Sequence, residues 1–306
     1  MPLKSYLKEL ADPATKLNET KVSRLSRLDR DEIEELRAGW TKLPEERRRE
    51  VVQKANAIVE EDVEADFDDL FKIGLDDGDS AVRLASVQGL WEYTGRDLIR
   101  RLVTLLKEDE DPGVRSSAAL ALGRYIVLGE FDEIPPEYVK RAEDALRQSY
   151  EEDPEIEVRA RSLESIGASS QPYVRDLITR SHESGNYRLR LSAIHAMGRN
   201  CDERWLPILM QEMADEEPEV RFEAVGAVGQ VADDSAINAI AELIEDEDRE
   251  VQFAAIEALG HIGGRRVKQH LRLVLKSDDE ALRDAAQQAL DEADIDEDPM
   301  TREYRV

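Results

Sequence analysis

An aliphatic residue followed by arginine returns at a fixed interval along most of this chain. The last four intervals are each 31 residues long, and glutamine replaces arginine once. A fixed period of this length is typical of a repeat protein, in which each unit packs mainly against its neighbours. The positions in this column are Arg83, Arg115, Arg159, Arg190, Arg221, Gln252 and Arg283.

Aligned on this column, each unit carries an apolar stripe with helical spacing. The residue before the column is Val or Leu, the third residue after it is Ala or Ser, and the seventh is aliphatic or Met. Offsets of −1, +3 and +7 lie on one side of an α-helix. Glycine follows at +8, where either a helix C-terminus or a close helix crossing favours a missing side chain. These glycines are Gly123, Gly167, Gly198, Gly229 and Gly260.

A turn and an earlier amphipathic segment precede each of these helices. The turns are rich in Asp, Pro, Gly or Asn, as at residues 111–113, 153–154 and 217–218. Such residues end one helix and begin the next. No segment has the pattern of a convincing strand, so the sequence predicts an all-α chain of helix pairs.

Two strings resemble a known family, the HEAT-like repeats, in the short form also found in phycobilin lyases. They are Pro-Glu-Val-Arg-Phe-Glu-Ala-Val-Gly-Ala-Val-Gly at 218–229 and Asp-Arg-Glu-Val-Gln-Phe-Ala-Ala-Ile-Glu-Ala-Leu-Gly at 248–260. The resemblance covers roughly residues 66–291. It implies a right-handed α-solenoid of about seven HEAT-like helix pairs, with a degenerate N-terminal capping pair.

The resemblance also implies a ladder of ion pairs, in which each arginine meets an acid of the preceding turn. In this sequence an acid stands four residues before Arg83, Arg115, Arg221 and Arg283, whereas Gln252 interrupts the ladder and Asn186 replaces the acid before Arg190. The implied ladder comprises Arg83, Arg115, Arg159, Arg190, Arg221 and Arg283 with Asp79, Asp111, Glu217 and Asp279.

The pattern divides the chain into four segments. The −1, +3, +7 stripe recurs around Val52 without its arginine, which indicates a degenerate capping repeat, because arrays need an atypical end unit. Acidic residues crowd the C-terminal end, and this composition favours disorder. The segments are an N-terminal extension at 1–28, a capping repeat at 29–62, the array at 63–291 and a disordered acidic tail at 292–306.

The interval from Arg115 to Arg159 contains 13 extra residues, which we place near 125–136. Gly129 and the prolines at 135 and 136 predict a loop that interrupts the helix. Because this loop is apolar, it either folds back on the array or serves as an arm that binds a partner.

Charge and composition exclude several partner classes. The net charge is −27, from 69 acidic and 42 basic residues. A field of that sign repels nucleic acid and anionic lipid, so neither nucleic-acid binding nor membrane insertion is expected. The acidity reflects either solubility and environment or the choice of a basic partner. A single cysteine, with no recognisable secretory signal or membrane-spanning run, favours a cytoplasmic location.

The sequence contains no strong catalytic constellation. Among four histidines, only His182 adjoins a second candidate ligand, Glu183, and one pair is a weak metal signal. Cys201 lies near Arg199 and Arg204, which can activate a thiol, although a lone cysteine is more often incidental. We therefore expect no catalytic residue, metal or cofactor.

The remaining hypothesis concerns the surface of the second helices, which line the concave side of such arrays. Positions +1 and +5 should face outward there, so the hypothetical partner-binding residues are Leu191, His195, Phe222, Phe253 and Glu257. The alternative is that Phe222 and Phe253 pack between helices as core. We expect a non-enzymatic scaffold that binds a basic or amphipathic segment of a protein. The alternatives are a structural spacer, or a HEAT-repeat lyase or metal-dependent modifying enzyme that uses the same groove.

Overall fold

The computed structural model describes residues 3–297 except Pro13 and Asp233, and this part of the chain is all-α, without a strand. It divides into two compact units, Met1–Ser165 and Ile166–Val306. Along this described part of the chain, seven helix pairs of solenoid type follow one another in sequence, after an N-terminal pair. Within the described residues, no helix is both long enough and apolar enough to cross a membrane.

The first unit contains the N-terminal pair and the first helix pairs of the array. Its second helices, α4, α6 and α8, pack side by side in that order. The helices α3 and α4 occupy the segment assigned to the capping repeat, and their capping role stays a prediction. The helices are α1 (Leu3–Leu10), α2 (Glu19–Val22), α3 (Arg30–Trp40), α4 (Glu45–Glu61), α5 (Asp68–Gly74), α6 (Ser80–Gly89), α7 (Asp97–Glu108), α8 (Pro112–Glu130), α9 (Pro136–Glu152) and α10 (Ile156–Ile166).

The second unit contains the remaining pairs, and its second helices α12, α14, α16 and α18 pack successively. The last helix continues through residues 292–297, so it includes the first part of the segment predicted to be a disordered tail. The rest of that segment, 298–306, lies outside the described residues. The helices are α11 (Pro172–His182), α12 (Tyr187–Asn200), α13 (Leu206–Glu212), α14 (Pro218–Val231), α15 (Ile237–Glu242), α16 (Arg249–Ile262), α17 (Gly264–Val274) and α18 (Glu280–Glu297).

The predicted stripe forms the core of both units. Every residue at +3 is fully buried, and so are those at −1 and +7 in most helix pairs. At −1, Leu282 in the last helix is half-buried. Small residues at +3 let neighbouring helices approach closely, and the aliphatic residues around them supply most of the buried apolar area.

The glycines at +8 mark close crossings between successive second helices. A β-carbon on Gly229 would lie 2.9 Å from the Cα of Ala258, and one on Gly198 would lie 2.8 Å from the Cα of Ala227. In both cases the residue that would be met stands at +6 of the next second helix. Of the two explanations left open by the sequence, close crossing is therefore the one that applies, because backbone atoms occupy the space.

The recurrent arginines form ion pairs, but with different acids from those predicted. Arg83 donates from Nε and Nη2 to the carboxylate of Asp109, with both distances 2.7 Å. Arg221 contacts Asp246 in the same bidentate way, at 2.8 and 2.7 Å. In each case the acid belongs to the turn of the following helix pair. The other pairs of this kind are Arg115 with Asp153 and Arg190 with Asp215.

The acids four residues before the arginines have another role, which corrects the prediction. Their side chains cap the second helices by accepting backbone N–H groups, which would otherwise lack partners at a helix N-terminus. Asp79 accepts from Val82, and Asn186 accepts from Leu189 in the same way. Glu217 occupies the cap position of α14 without a side-chain cap bond. The other capping residues are Asp111, Asp248 and Asp279.

Four of the array arginines, Arg83, Arg115, Arg221 and Arg283, also bind the turn of their own pair. Arg83 Nη1 donates to the carbonyl oxygen of Asp77, six residues earlier, at 2.9 Å. The amide of Gln252 keeps this bond to the carbonyl oxygen of Asp246, at 2.7 Å. Arg159 departs from the pattern, because it donates to the carbonyl oxygen of Tyr150 and its guanidinium lies over that ring. Arg283 contacts the carbonyl oxygen of Ser277.

The N-terminal pair also contributes an arginine to the ladder of ion pairs. This arginine is not at Val52, the position that aligns with the arginine column. Arg48, one helical turn earlier on α4, donates to both carboxylate oxygens of Asp77 at 2.7 and 3.0 Å. The indole of Trp40 donates to the same carboxylate. The ladder of the first unit therefore begins at Arg48, because a long side chain can reach the turn from the preceding helical turn.

The predicted loop at 125–136 is wrong in its first half. Helix α8 continues to Glu130, so the extra residues lengthen this helix and only a short connection before α9 remains. Tyr125 is fully buried, and its hydroxyl donates to the carbonyl oxygen of Gly95 at 3.1 Å. Burial of this face outweighs the roughly 1 kcal/mol by which glycine disfavours a helix at Gly129.

Candidate functional site

An open cleft lies on the second helices of the second unit, between α14 and α16 and beside α12. Its volume is about 310 Å³. The cleft runs along positions +1, +2, +5, +6 and +9 of the repeat. Positions +1, +2, +5 and +9 lie on the side of each helix opposite the buried stripe, and +6 lies beside the stripe, where the neighbouring helix packs. It is lined by His195, Phe222, Glu223, Gly226, Ala227, Gln230, Ala254, Glu257, Ala258 and His261.

The cleft is open because α14 has no side chain at position +5. A β-carbon built on Gly226 would meet no atom within 4 Å, whereas one on Gly229, a turn further along, would clash with α16. Glycine therefore occupies these two positions for different physical reasons. Gly229 permits helix packing, while Gly226 leaves space that no neighbouring residue fills.

Phe222 forms one wall of this space. Its side chain is 40% exposed, although an aromatic side chain normally buries a large apolar area. The structure therefore places Phe222 at the cleft. Phe253, its counterpart in the next pair, is half-buried outside the cleft lining, with the Arg249 guanidinium 5.3 Å from its ring centroid. Leu191 is only 6% exposed and lies in the core of its pair.

The charged groups of the cleft are mainly acidic. His195 Nδ1 lies 3.4 Å from Glu223 Oε2, and the side chain of Glu257 is exposed on the facing helix. One turn before Glu223, Glu219 accepts a hydrogen bond from the hydroxyl of Tyr187 at 2.9 Å. The cleft therefore combines an apolar wall with carboxylates on two adjacent helices.

Tyr187 extends the exposed aromatic area next to this acidic side. Burial and then its hydrogen bond to Glu219 raise the pKa of Tyr187 to about 12, so its hydroxyl stays protonated at neutral pH. The hydroxyl holds the Glu219 carboxylate in place as an acceptor, and the ring remains 45% exposed. The tyrosine therefore adds a fixed polar contact and an apolar surface.

The structure brings together three of the five residues hypothesised from the sequence, namely His195, Phe222 and Glu257. It adds Glu223 and His261, which the sequence analysis did not select. These residues stand at +2 and +9, so they share a helical face with +5. Extending the outward columns by one turn in each direction would have found them.

The sequence's weak chemical signals lie outside this cleft. His182 Nε2 lies 2.7 Å from Glu212 Oε1, so its close carboxylate is not the adjacent Glu183. Cys201 is exposed in the left-handed conformation at the C-cap of α12. Among the described residues, no group of three His, Cys, Asp or Glu side chains could hold a metal ion.

Comparison with known proteins relates the chain to helical repeat proteins. It is 29% identical over 142 residues to the uncharacterized phycocyanin operon protein Z of Pseudanabaena tenuis, which covers 46% of this chain and 67% of that protein.

Two solved structures share the solenoid fold. The CpcE–CpcF complex of phycocyanin lyase from Nostoc sp. matches with a TM-score of 0.54 and 16% identity, over 77% of this chain and 91% of the matched chain. Yeast importin-β, Kap95p, matches with a TM-score of 0.55 and 12% identity, over 98% of this chain and 47% of that chain.

The model of HEAT repeats matches residues 67–136, 143–217 and 206–291, which together make up most of the chain. Among the described residues, these ranges include all or part of every helix of the array and all of the cleft residues. The chain therefore belongs to the HEAT-repeat family.

Proposed function

We propose that this protein is a non-enzymatic scaffold that binds a basic segment of another protein in the cleft between α14 and α16. The observation that carries the proposal is the open space at Gly226 beside the exposed ring of Phe222. An aromatic side chain that lines an unfilled cleft is the kind of anchor that contributes much of the affinity in protein interfaces.

Electrostatics support a basic partner. The carboxylates of Glu223 and Glu257 lie on adjacent helices of the cleft, and Glu219 continues the acidic row one turn earlier. Lys or Arg next to an apolar residue in the partner would complement this arrangement. The chain's net charge of −27 would in addition accelerate the approach of a cationic segment.

Other proteins with this fold support a binding role. The two solved structures above are a complex of two proteins, CpcE with CpcF, and an importin. A cytoplasmic location is part of the same proposal, and it is supported by the single cysteine in 306 residues.

The test fills the cleft without disturbing the helix. Gly226→Leu introduces a side chain where a β-carbon meets no atom, so the variant should fold as well as the wild type. Gly78→Leu is the matched control, since a β-carbon on Gly78 also meets nothing within 4 Å and this glycine lies in the first unit.

Each protein would be used as bait, and partners would be identified by mass spectrometry and then measured as purified pairs. We expect Gly226→Leu and Phe222→Ala to weaken a purified pair at least tenfold, while Gly78→Leu keeps wild-type affinity. Equal affinity for the wild type and Gly226→Leu would refute binding in the cleft.

A second candidate function is a lyase that acts on phycocyanin. It is favoured by the identity with phycocyanin operon protein Z over 142 residues and by the shared fold with phycocyanin lyase. Incubating the purified chain with phycocyanin, and following the visible absorption of phycocyanin, tests it directly. A change that requires the chain and is lost in Gly226→Leu would favour the lyase over the scaffold.

A further inference from the structure

A separate surface in the first unit exposes a tryptophan. Trp91 is the second residue after α6 and is 62% exposed, whereas the other two tryptophans, Trp40 and Trp205, are 1% and 7% exposed. Indole buries a large apolar area in most proteins, and exposed aromatic residues next to clefts mark sites of association. The side chain of Trp91 is therefore far more exposed to solvent than those of Trp40 and Trp205.

Two open clefts adjoin Trp91, one on each side. The larger, of about 490 Å³, lies between α4 and α6 and is also lined by Leu84 and Glu60. The smaller, of about 290 Å³, lies towards α5 and the turn after α6, where Asp66 and Glu92 line it. Trp91 lines both clefts, so its indole lies between them. We call the residues that line these two clefts the Trp91 surface.

The packing beneath Trp91 is close. A β-carbon on Gly89, two residues earlier, would lie 2.4 Å from Phe71 Cζ, so α6 packs tightly against α5 there. Tyr93, two residues later, donates its hydroxyl to Asp97 at 2.7 Å. The indole is therefore presented from a turn that is anchored at both sides, which reduces the entropy lost when a partner binds.

A cation already lies over the neighbouring aromatic ring. Lys72 Nζ lies 3.7 Å from the centroid of the Tyr93 ring. Tryptophan attracts cations more strongly than tyrosine does. Within the part of the chain that the structure describes, no cation lies over the Trp91 ring in this way. The same chemistry is thus available at Trp91 for a cation from another molecule.

The segment from the end of α4 into α5, beside Trp91, is strongly acidic, whereas two cations lie near the neighbouring residues, Lys72 over the Tyr93 ring and Arg124 at the carbonyl oxygen of Leu90. Residues 56–71 contain seven Asp or Glu residues and neither Lys nor Arg. Burial, followed by the nearby Asp66 carboxylate, raises the pKa of Asp68, which also lines the smaller cleft. Carboxylates that repel one another in this way favour a cationic ligand and disfavour an anionic one such as nucleic acid.

We propose that the Trp91 surface binds an arginine of a partner protein, with the guanidinium stacked on the Trp91 indole and a neighbouring aliphatic residue in the cleft beside Leu84. Arginine fits better than lysine, because its planar guanidinium stacks on an aromatic face and donates to several carboxylates at once. Glu60, Asp66 and Glu92 supply those carboxylates. This site is distinct from the cleft at Gly226, and either one can be lost without the other.

The chain carries its own reporter for this test. Because Trp40 and Trp205 are buried, quenching of tryptophan fluorescence by acrylamide reports mainly on Trp91. The probe is the peptide acetyl-Arg-Leu-Arg-Leu-Arg-amide, and its control is acetyl-Glu-Leu-Glu-Leu-Glu-amide. We expect the arginine peptide to protect the fluorescence from acrylamide and the glutamate peptide to have no effect. Equal protection by both peptides, or by neither, would overturn the proposal.

Variants then locate the binding site. Affinity for a dye-labelled arginine peptide would be measured by anisotropy in a Gly226→Leu background, where the other cleft is filled. Trp91→Ala should weaken binding at least tenfold, and Trp91→Phe should weaken it less, because a smaller aromatic face remains. Phe131→Ala is the matched control, since Phe131 is an aromatic residue of the same unit that is 69% exposed.

A second variant distinguishes a loss of peptide binding from a loss of folding. Glu92→Gln keeps the shape of an exposed side chain and removes one carboxylate, so it should weaken peptide binding and reduce its dependence on salt. Wild-type affinity in both Trp91→Ala and Glu92→Gln would show that the peptide binds elsewhere. The Trp91 surface shares no lining residue with the cleft at Gly226, so failure here leaves the proposed scaffold function unaffected.

Discussion

Two glycines on helix α14 should respond to alanine in opposite directions. Gly226 and Gly229 lie three residues apart in the same helix, so intrinsic helix propensity contributes equally to both substitutions. Alanine is favoured over glycine in a helix interior by about 1 kcal/mol. The two sites differ only in what the new methyl group meets.

At Gly226 the methyl group meets no atom within 4 Å, so Gly226→Ala should stabilise the protein by about 0.5–1 kcal/mol. At Gly229 the β-carbon would lie 2.8 Å from the Cβ and 2.9 Å from the Cα of Ala258. The second contact is with backbone, so α16 must move. Overpacking of this kind costs about 1–3 kcal/mol, which leaves Gly229→Ala destabilised by up to about 2 kcal/mol.

Thermal unfolding of the two variants and the wild type measures the difference. In chains of 150–250 residues, 1 kcal/mol shifts the midpoint by about 2–4 °C, so the two variants should differ by several degrees. Circular dichroism should show the same helix content in all three proteins. If both substitutions shifted the midpoint in the same direction, the assignment of Gly226 to an unfilled cleft would be wrong.

Three further predictions concern the ion pairs. Gln252→Arg alone should leave the free energy of unfolding nearly unchanged. Gln252→Arg combined with Ser277→Asp should form an additional ion pair and raise the free energy of unfolding by about 1–3 kcal/mol, measured by urea unfolding. Arg48→Leu leaves the buried carboxylate of Asp77 without its counter-ion and should destabilise the protein by about 3–5 kcal/mol in the same assay. The hydrogen bond from Arg49 lowers the pKa of Asp79 to about 2. Because this pKa is lower in the folded state, the stabilisation exists above pH 4 and is lost towards pH 2, so Arg49→Gln should destabilise the protein more at pH 7 than at pH 2.

The helix pairs and the core could be predicted from the sequence because the repeat constrains them jointly. A single apolar residue in one unit says little about which helical face is buried. Because the apolar offsets −1, +3 and +7 recur in successive units, they identify one helical face as the buried one. The partners of the arginines could not be predicted in this way. The turns carry polar residues two apart, such as Asp109 and Asp111, and sequence spacing does not show which of the two caps a helix and which faces the preceding arginine.

The insertion shows a similar limit. Gly129 and the two prolines are correct signals that α8 must end, but they do not say how far the helix continues beforehand. That distance depends on the buried contacts of Tyr125, whose hydroxyl reaches the carbonyl oxygen of Gly95 thirty residues earlier. Local propensity is weak compared with such tertiary contacts.

The cleft could be predicted only in part, because it lies between two helices. Columns +1 and +5 describe the outward face of a single helix, and they include Phe222 and Glu257, which line the cleft. A space between adjacent helices is lined by different edges of each one. For this reason Glu223 enters from +2 of α14, and His261 enters from +9 of α16.

The two kinds of glycine also bear on function. Gly229 is explained by packing, because the neighbouring backbone occupies the space that a side chain would need. No such explanation exists for Gly226 within the described residues, although glycine there lowers helix stability by about 1 kcal/mol relative to alanine. A destabilising residue that packing does not require is expected where a ligand occupies the space. If the larger Leu at Gly226 removed partner binding while Ala raised stability, stability and function would be opposed at this one position.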